Sequence, residues 1–168
     1  MGVQRWDVSS EVGFMACYRA TFRDVYAHAA MLAGRDGQAA EDVVHDVYLA
    51  ALDRARRGEL TEISSGYLVT AVRTHTIDRW RAREREQRRL SLVARRDDGD
   101  GQEQAGAGAP PTWMLADLTE RQRAAIVLRF VDDLPVADVA AALGMSVRAT
   151  ESLLSRAMRR LRVEVRDA

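Results

Sequence analysis

The chain has 168 residues, 47% of them hydrophobic and 30% charged, and its 25 cationic side chains balance 25 carboxylates. Neutrality excludes a uniformly basic nucleic-acid coat, and the lone cysteine, Cys17, excludes an internal disulfide. No apolar run is long enough to span a membrane and the opening MGVQRWDVSSEVG lacks the apolar core of a secretion signal, so a cytoplasmic protein with no membrane partner is expected.

The charges are nevertheless segregated. Arginine crowds residues 73–96 and 148–166, whereas acids gather over residues 41–53 and 97–103. Every cation is arginine and none is lysine. That choice suits bidentate phosphate contacts and equally fits a GC-rich coding sequence.

Phe14, Tyr18, Phe22, Val25, Ala29 and Leu32 recur at helical spacing, so residues 10–33 are expected to form an amphipathic helix closed by Gly34 and Gly37. A second helix is expected over residues 38–56. Its inner face is Ala40, Val43, Val44, Val47 and Ala51, and Asp42, His45, Asp46, Leu49 and Asp53 lie outside. GELTEISS reads as a loop, and no strand pattern appears. Tyr67, Leu68, Ala71, Val72, Ile77 and Trp80 then begin a third helix that turns almost wholly charged beyond Arg81.

Residues 95–112, acidic, rich in glycine and alanine and closed by two prolines, lack apolar periodicity and read as a flexible linker. About twenty such residues span roughly 25 Å root-mean-square, enough to let flanking bodies sit apart on a long target. Beyond them, Thr119 and Gln122 stand in capping-box spacing before Ile126, Val127, Phe130 and Val131. Val136, Val139, Ala140 and Leu143 give a short helix that Gly144 closes, and Ser146 starts the next. In that last helix Val147, Thr150, Leu154, Ala157 and Leu161 are expected inside, with Arg148, Ser152, Leu153, Ser155, Arg156 and Arg159 outside, a face able to enter a DNA major groove.

The expected architecture is all-α, with two small helical domains: a three- to four-helix bundle over residues 1–90, a linker over 91–113, and a helix-turn-helix domain over 114–168. Enzyme motifs are absent: there is no phosphate-binding glycine loop and no HExxH. His28, His45 and His75 fall on different elements, so neither a metal nor a cofactor is expected. Asp132 and Asp133, at a helix end, are assigned to turn formation rather than acid-base work.

AEDVVHDVYLAAL, followed by YLVTAVRTHTIDRWRARERE, resembles the promoter-melting domain of extracytoplasmic-function (ECF) sigma factors, and residues 118–162 are similar to their promoter-reading domain. The likeness covers most of the chain in the family's order. It implies a sigma factor that binds core RNA polymerase, reads the −35 element and melts the −10 element of promoter DNA, without being itself a catalyst. In that family the helix resembling residues 40–53 docks on a coiled coil of the polymerase largest subunit, which implies Asp42, His45, Asp46 and Leu49 as docking residues. An acidic face with an exposed leucine complements a basic helix. His45 stands where relatives usually carry glutamine.

For the −10 element the resemblance implies Tyr67, Arg73, Thr74, His75, Arg79, Trp80, Arg81 and Arg83. Holding an unwound strand takes aromatics to stack bases and cations to hold the backbone. Tyr67 and Trp80 suit either that role or the core, at their helical spacing. Thr74 and His75 replace the family's asparagine and basic residue, so a different base preference is implied. For the −35 element it implies Arg148, Glu151, Ser152, Leu153, Ser155, Arg156 and Arg159. Glu151 and Leu153 depart from frequently basic positions, which implies weaker or different reading. An anti-sigma factor is the further partner implied. Two other readings stay open: a helix-turn-helix regulator that needs no polymerase, and a sigma-like decoy that binds an anti-sigma factor.

Overall fold

The computed structural model describes residues 4–93, 115 and 117–167. Six α-helices dominate it: α1 (Glu11–Ala33), α2 (Gly37–Arg56) and α3 (Ser65–Val93) in the N-terminal half, and α4 (Glu120–Ile126), α5 (Val136–Leu143) and α6 (Val147–Asp167) in the C-terminal half. The linker expected over residues 91–113 lies almost wholly outside the described residues.

Capping chemistry sets the helix boundaries close to where the sequence places them. The Ser10 hydroxyl accepts from the Gly13 amide at 3.2 Å to start α1, and Gly34, at φ +71°, ends it. Asp36 accepts from the Ala39 amide at 2.9 Å to start α2. The Thr119–Gln122 capping box opens α4 reciprocally. Gly144 is left-handed at φ 64° and closes α5, after which the Ser146 hydroxyl accepts from the Ala149 amide at 3.2 Å.

Two short strands correct the expectation of none. β1 (Arg5–Asp7) pairs antiparallel with β2 (Glu62–Ser64), Trp6 opposite Ile63, and the Val8 amide donates to the Thr61 carbonyl at 2.8 Å. Each strand is three residues long, too short for a two-residue alternation to register in a sequence. The pairing ties the N-terminus beneath the entry to α3 and buries Val8 and Ile63.

The core of the N-terminal half forms where α1, α2 and α3 meet. Cys17, Val25 and Ala29 of α1 pack with Val43, Val44 and Val47 of α2 and with Leu68 and Val72 of α3, all buried. A buried polar link crosses it. The Thr21 hydroxyl donates to the Cys17 carbonyl at 2.7 Å, so its oxygen is left to accept from the Tyr48 hydroxyl at 2.8 Å. Burial pushes the Tyr48 pKa up to about 12, which keeps the phenol protonated and donating.

The C-terminal half departs from the simple periodic reading in one place. α4 runs into a π-helical turn, Val127–Val131, in which the Asp132 amide donates to the Val127 carbonyl. The wider turn shifts the helix phase. Leu128 takes the inward position, while Phe130 and Val131, which follow Ile126 and Val127 at helical spacing, are exposed. Asp133 then adopts φ 53°, the turn geometry expected of it.

The halves are packed on each other rather than apart. α1 contacts α4, and the buried side chains of both halves form one continuous cluster. Arg123 of α4 is fully buried over the end of α1, where a Cβ on Gly34 would overlap its guanidinium.

Because Tyr48 gives its proton to Thr21, the two ends of that bond are unequal. Thr21→Val strands a buried phenol and is expected to cost about 1–3 kcal/mol, against about 0.5–1.5 for Tyr48→Phe, which removes the donor instead. Urea unfolding of both variants measures the order, and a smaller loss for Thr21→Val would refute the proton assignment.

Candidate functional site

Three surfaces carry the residues singled out from the sequence. On α2, His45 and Asp46 are exposed, Asp42 is half-buried and Leu49 is 57% exposed. This face is not isolated. Asp42 and Asp46 carboxylate oxygens lie 3.8 and 3.7 Å from the Arg79 guanidinium on α3, and Asp46 lies 3.9 Å from His75 Nδ1. Residues assigned to two functions therefore touch, although such exposed pairs hold each other weakly.

Beside Leu49, α1 and α2 frame a groove of about 570 Å³ whose lining includes Met15, Tyr18, Phe22, Val44 and Leu52. Sequence reasoning missed it. Phe22, placed by periodicity on the inner stripe, is 37% exposed, because Tyr48 occupies the interior beside Thr21 and Phe22 lies outside it, the ring centroids 6.5 Å apart. Tyr18 bridges the two, its ring 5.1 Å from Phe22 and 4.8 Å from Tyr48. The available signal was the run of four aromatics at turn spacing on α1, Phe14, Tyr18, Phe22 and Tyr26, which with Tyr48 of α2 are more than one small core accommodates.

The second surface is the face of α3. Tyr67 is half-buried and its hydroxyl accepts from Arg54 at 2.8 Å. Thr74 is exposed and turns its hydroxyl back to the Thr70 carbonyl, whereas His75 is half-buried. The arginines divide. Arg79 faces α2, but Arg73, Arg81 and Arg83 reach the C-terminal half. Arg73 meets Asp132 at 3.4 Å, Arg83 meets Glu120 at 3.0 Å, and Arg81 donates to the carbonyls of Ala141, at 3.1 Å, and Ala142. Trp80 is half-buried under Arg121, whose guanidinium sits 4.9 Å from the ring centroid, and it lines a cleft of about 250 Å³ between the halves. Trp80 thus packs partly buried against the core, at the seam between the halves.

Asp132, expected to serve only the turn, has a side chain just 7% exposed and lies between Arg73 and His28, whose Nε2 is 3.6 Å away. Burial holds the His28 pKa below its ordinary value, outweighing the pull of Asp132, so the imidazole is neutral and the ion pair here is Arg73 with Asp132.

The third surface is the outer face of α6, where Arg148, Glu151, Ser152, Ser155, Arg156 and Arg159 are exposed together. Leu153 is a correction: it is 6% exposed and belongs to the core. It stands three residues after buried Thr150 and four before buried Ala157, on the stripe that packs against α4 and α5. It cannot touch DNA without unfolding the helix from its neighbours. Val147, expected inside, is 47% exposed, although Thr150 in the same turn is fully buried.

Two measurements check these placements. Leu153→Ala is expected to lower stability by about 2–5 kcal/mol, as core truncation does, while Arg156→Ala leaves the denaturation midpoint unchanged; equal midpoints would return Leu153 to the surface. His28 gives a pH test. Its folded pKa lies below the unfolded value of 6.5, so its stabilisation is complete above that pH and is lost as pH falls towards the folded pKa. Melting temperatures at pH 7.5 and about 5.5 are expected to differ more for the natural chain than for His28→Gln, and parallel losses would refute the assignment.

Comparison with known proteins follows the same division of the chain. Residues 17–86 match Sigma-70 region 2, and residues 114–161 match Sigma-70, region 4. The chain is 28% identical over 148 residues to an RNA polymerase sigma-E factor of Streptomyces coelicolor, covering 88% of this chain and 84% of that protein. It is 32% identical over 103 residues to an RNA polymerase sigma-E factor of Streptomyces avermitilis, covering 61% and 58%. Among solved structures it is similar in fold to the sigma factor RpoE of Bartonella quintana, crystallised with the anti-sigma factor NepR, at a TM-score of 0.53 and 24% identity over 91% of this chain and 96% of that one.

Proposed function

The chain belongs to the sigma-70 family of RNA polymerase sigma factors, in its extracytoplasmic-function type, and from that membership we propose how its three surfaces divide the work of starting transcription. The outer face of α2 docks core RNA polymerase through Asp42, His45, Asp46 and Leu49, with the aromatic groove beside Leu49 receiving apolar side chains of the partner helix. The acids steer a basic partner and the apolar groove supplies the dehydrated contact that carries most of the affinity. The observation that carries this reading is Leu49, more than half exposed at the mouth of an apolar groove inside the region 2 match.

The α3 face, through Tyr67, Arg73, Thr74, His75, Arg79, Trp80, Arg81 and Arg83, holds the unwound −10 strand. Stacking returns about 1–3 kcal/mol per base, comparable with the cost of unstacking it, so the arginines must supply the surplus through the backbone. The α6 face reads the −35 duplex through Arg148, Ser152, Ser155, Arg156 and Arg159. Glu151, exposed among them, repels phosphate and accepts from a cytosine amino group. Bond making belongs to the polymerase and none to this chain. Residues 1–90 and 114–168 act as the two functional domains, and an anti-sigma factor that covers these surfaces is a further partner.

Run-off transcription with purified core polymerase on genomic fragments tests the whole reading. Promoter-specific transcripts are expected only when the chain is added; specific DNA binding with no polymerase dependence would favour the simple helix-turn-helix regulator. Within that assay, Leu49→Asp is expected to weaken association with core enzyme by about 2 kcal/mol or more, as loss of a central interface side chain does, while leaving the helical circular dichroism unchanged. Unchanged association would remove the groove from the docking site.

A further inference from the structure

Protein interiors are close-packed, and few gaps in them exceed a water molecule. The cleft of about 250 Å³ between the halves is such a gap, opening where α1, α2, α3 and α4 converge. It exists because Ala33, Ala39, Ala82 and Ala124 present only methyl groups to it, where longer apolar side chains would close it. Its inner wall is apolar: Leu32, Val43 and Ile77 are buried there, and the indole of Trp80 completes it. Arg121, held by Glu84 at 2.6 Å, covers one face of that ring without lining the cleft, so another part of the indole is left for an occupant. An apolar cavity of about 150 Å³ holds benzene, so this one has room for a ring with a short side arm.

The rim is charged, and its charges do not balance. Arg83 and Glu120 neutralise each other at 3.0 Å, and Arg79 is answered twice, by Asp42 at 3.8 Å and Asp46 at 3.7 Å. Asp36 is left over. One of its carboxylate oxygens accepts from the Ala39 amide to cap α2, and among the described residues the other has neither a hydrogen-bond partner nor a cation within ion-pair distance. An apolar chamber with a few polar groups at its mouth is the usual anatomy of a small-molecule site, and an excess of carboxylate there selects a cation. We propose that the cleft binds a small aromatic amine, its ring beside Leu32, Val43, Ile77 and Trp80 and its ammonium group on Asp36. Such an occupant touches α4 as well as α1, α2 and α3, so it binds this packing of the halves in preference to others and shifts the population towards it. Its binding needs neither DNA nor polymerase.

Three probes of one shape and different charge test this on the full-length chain: phenethylamine, the neutral phenethyl alcohol and the anionic hydrocinnamate, each titrated with ligand-observed proton NMR. The amine is expected to bind with a Kd of about 1 mM, fitting for so few atoms. The alcohol is expected to bind about fivefold more weakly, the usual gap between a charged and a neutral hydrogen bond, and the acid more weakly still. Asp36→Asn keeps a good helix cap while removing the charge. It is expected to weaken the amine about fivefold and leave the alcohol unchanged. Ala39→Leu fills the cleft and is expected to abolish binding of both; should it fold poorly, Ala82→Leu fills the cleft from α3 instead. No binding of the amine to the natural chain at roughly 10 mM, ten times the expected Kd, would overturn the proposal. So would binding that survives the leucine substitution, which would place the amine elsewhere, or equal affinities for amine and alcohol, which would remove Asp36 from the site.

Discussion

The contact on which the arrangement depends is the seat of Arg123 on the bare end of α1. Among the described residues the bulkiest fully buried side chain is this arginine, and it fits because Gly34 leaves room for it. Gly34 answers two demands at once, a positive φ to end α1 and an open approach for α4. So bulky a polar group fits only where the opposing backbone leaves a matching gap, so the halves meet in one register rather than sliding over an oily seam. Leu118, Ala125 and Leu128 then complete a continuous core across the two halves.

That register decides the state of the functional surfaces. With α4 held at the end of α1, the π turn after it brings Asp132 under Arg73, and α5 presents its carbonyl end to Arg81. The insertion of one wider turn thus sets the contact between α3 and the C-terminal half as well as the local packing. Along α3, successive turns face different partners: Arg79 looks to the acids of α2, and Arg73, Arg81 and Arg83 to the C-terminal half. An arginine-rich helix is consequently far from a solvated cationic rod. Neutral overall composition and local complementarity meet on α3, whose arginines have acidic partners within reach on α2 and in the C-terminal half.

The α2 face shares its charges with α3. Asp42 and Asp46 face outward and also toward Arg79 and His75. The acids of α2 and the basic side chains of α3 therefore form one charge network, with Asp42 and Asp46 both less than 4 Å from Arg79.

Periodicity and punctuation were enough to determine α1, α2, α5 and α6, because apolar stripes, Ser10, Asp36, Ser146 and the glycines at 34 and 144 act within a few residues of themselves. The family was legible for the same reason, its two regions being runs of local pattern. What local pattern does not contain is which element lies opposite. Only the tertiary structure placed β1 against β2, turned Phe130 outward through the π turn, drew Leu153 into the core, left Phe22 to line a groove and set Asp132 between Arg73 and His28. Each of those outcomes depends on a partner distant in the chain, and a side chain's role on a helix edge is decided by what packs there rather than by its own spacing.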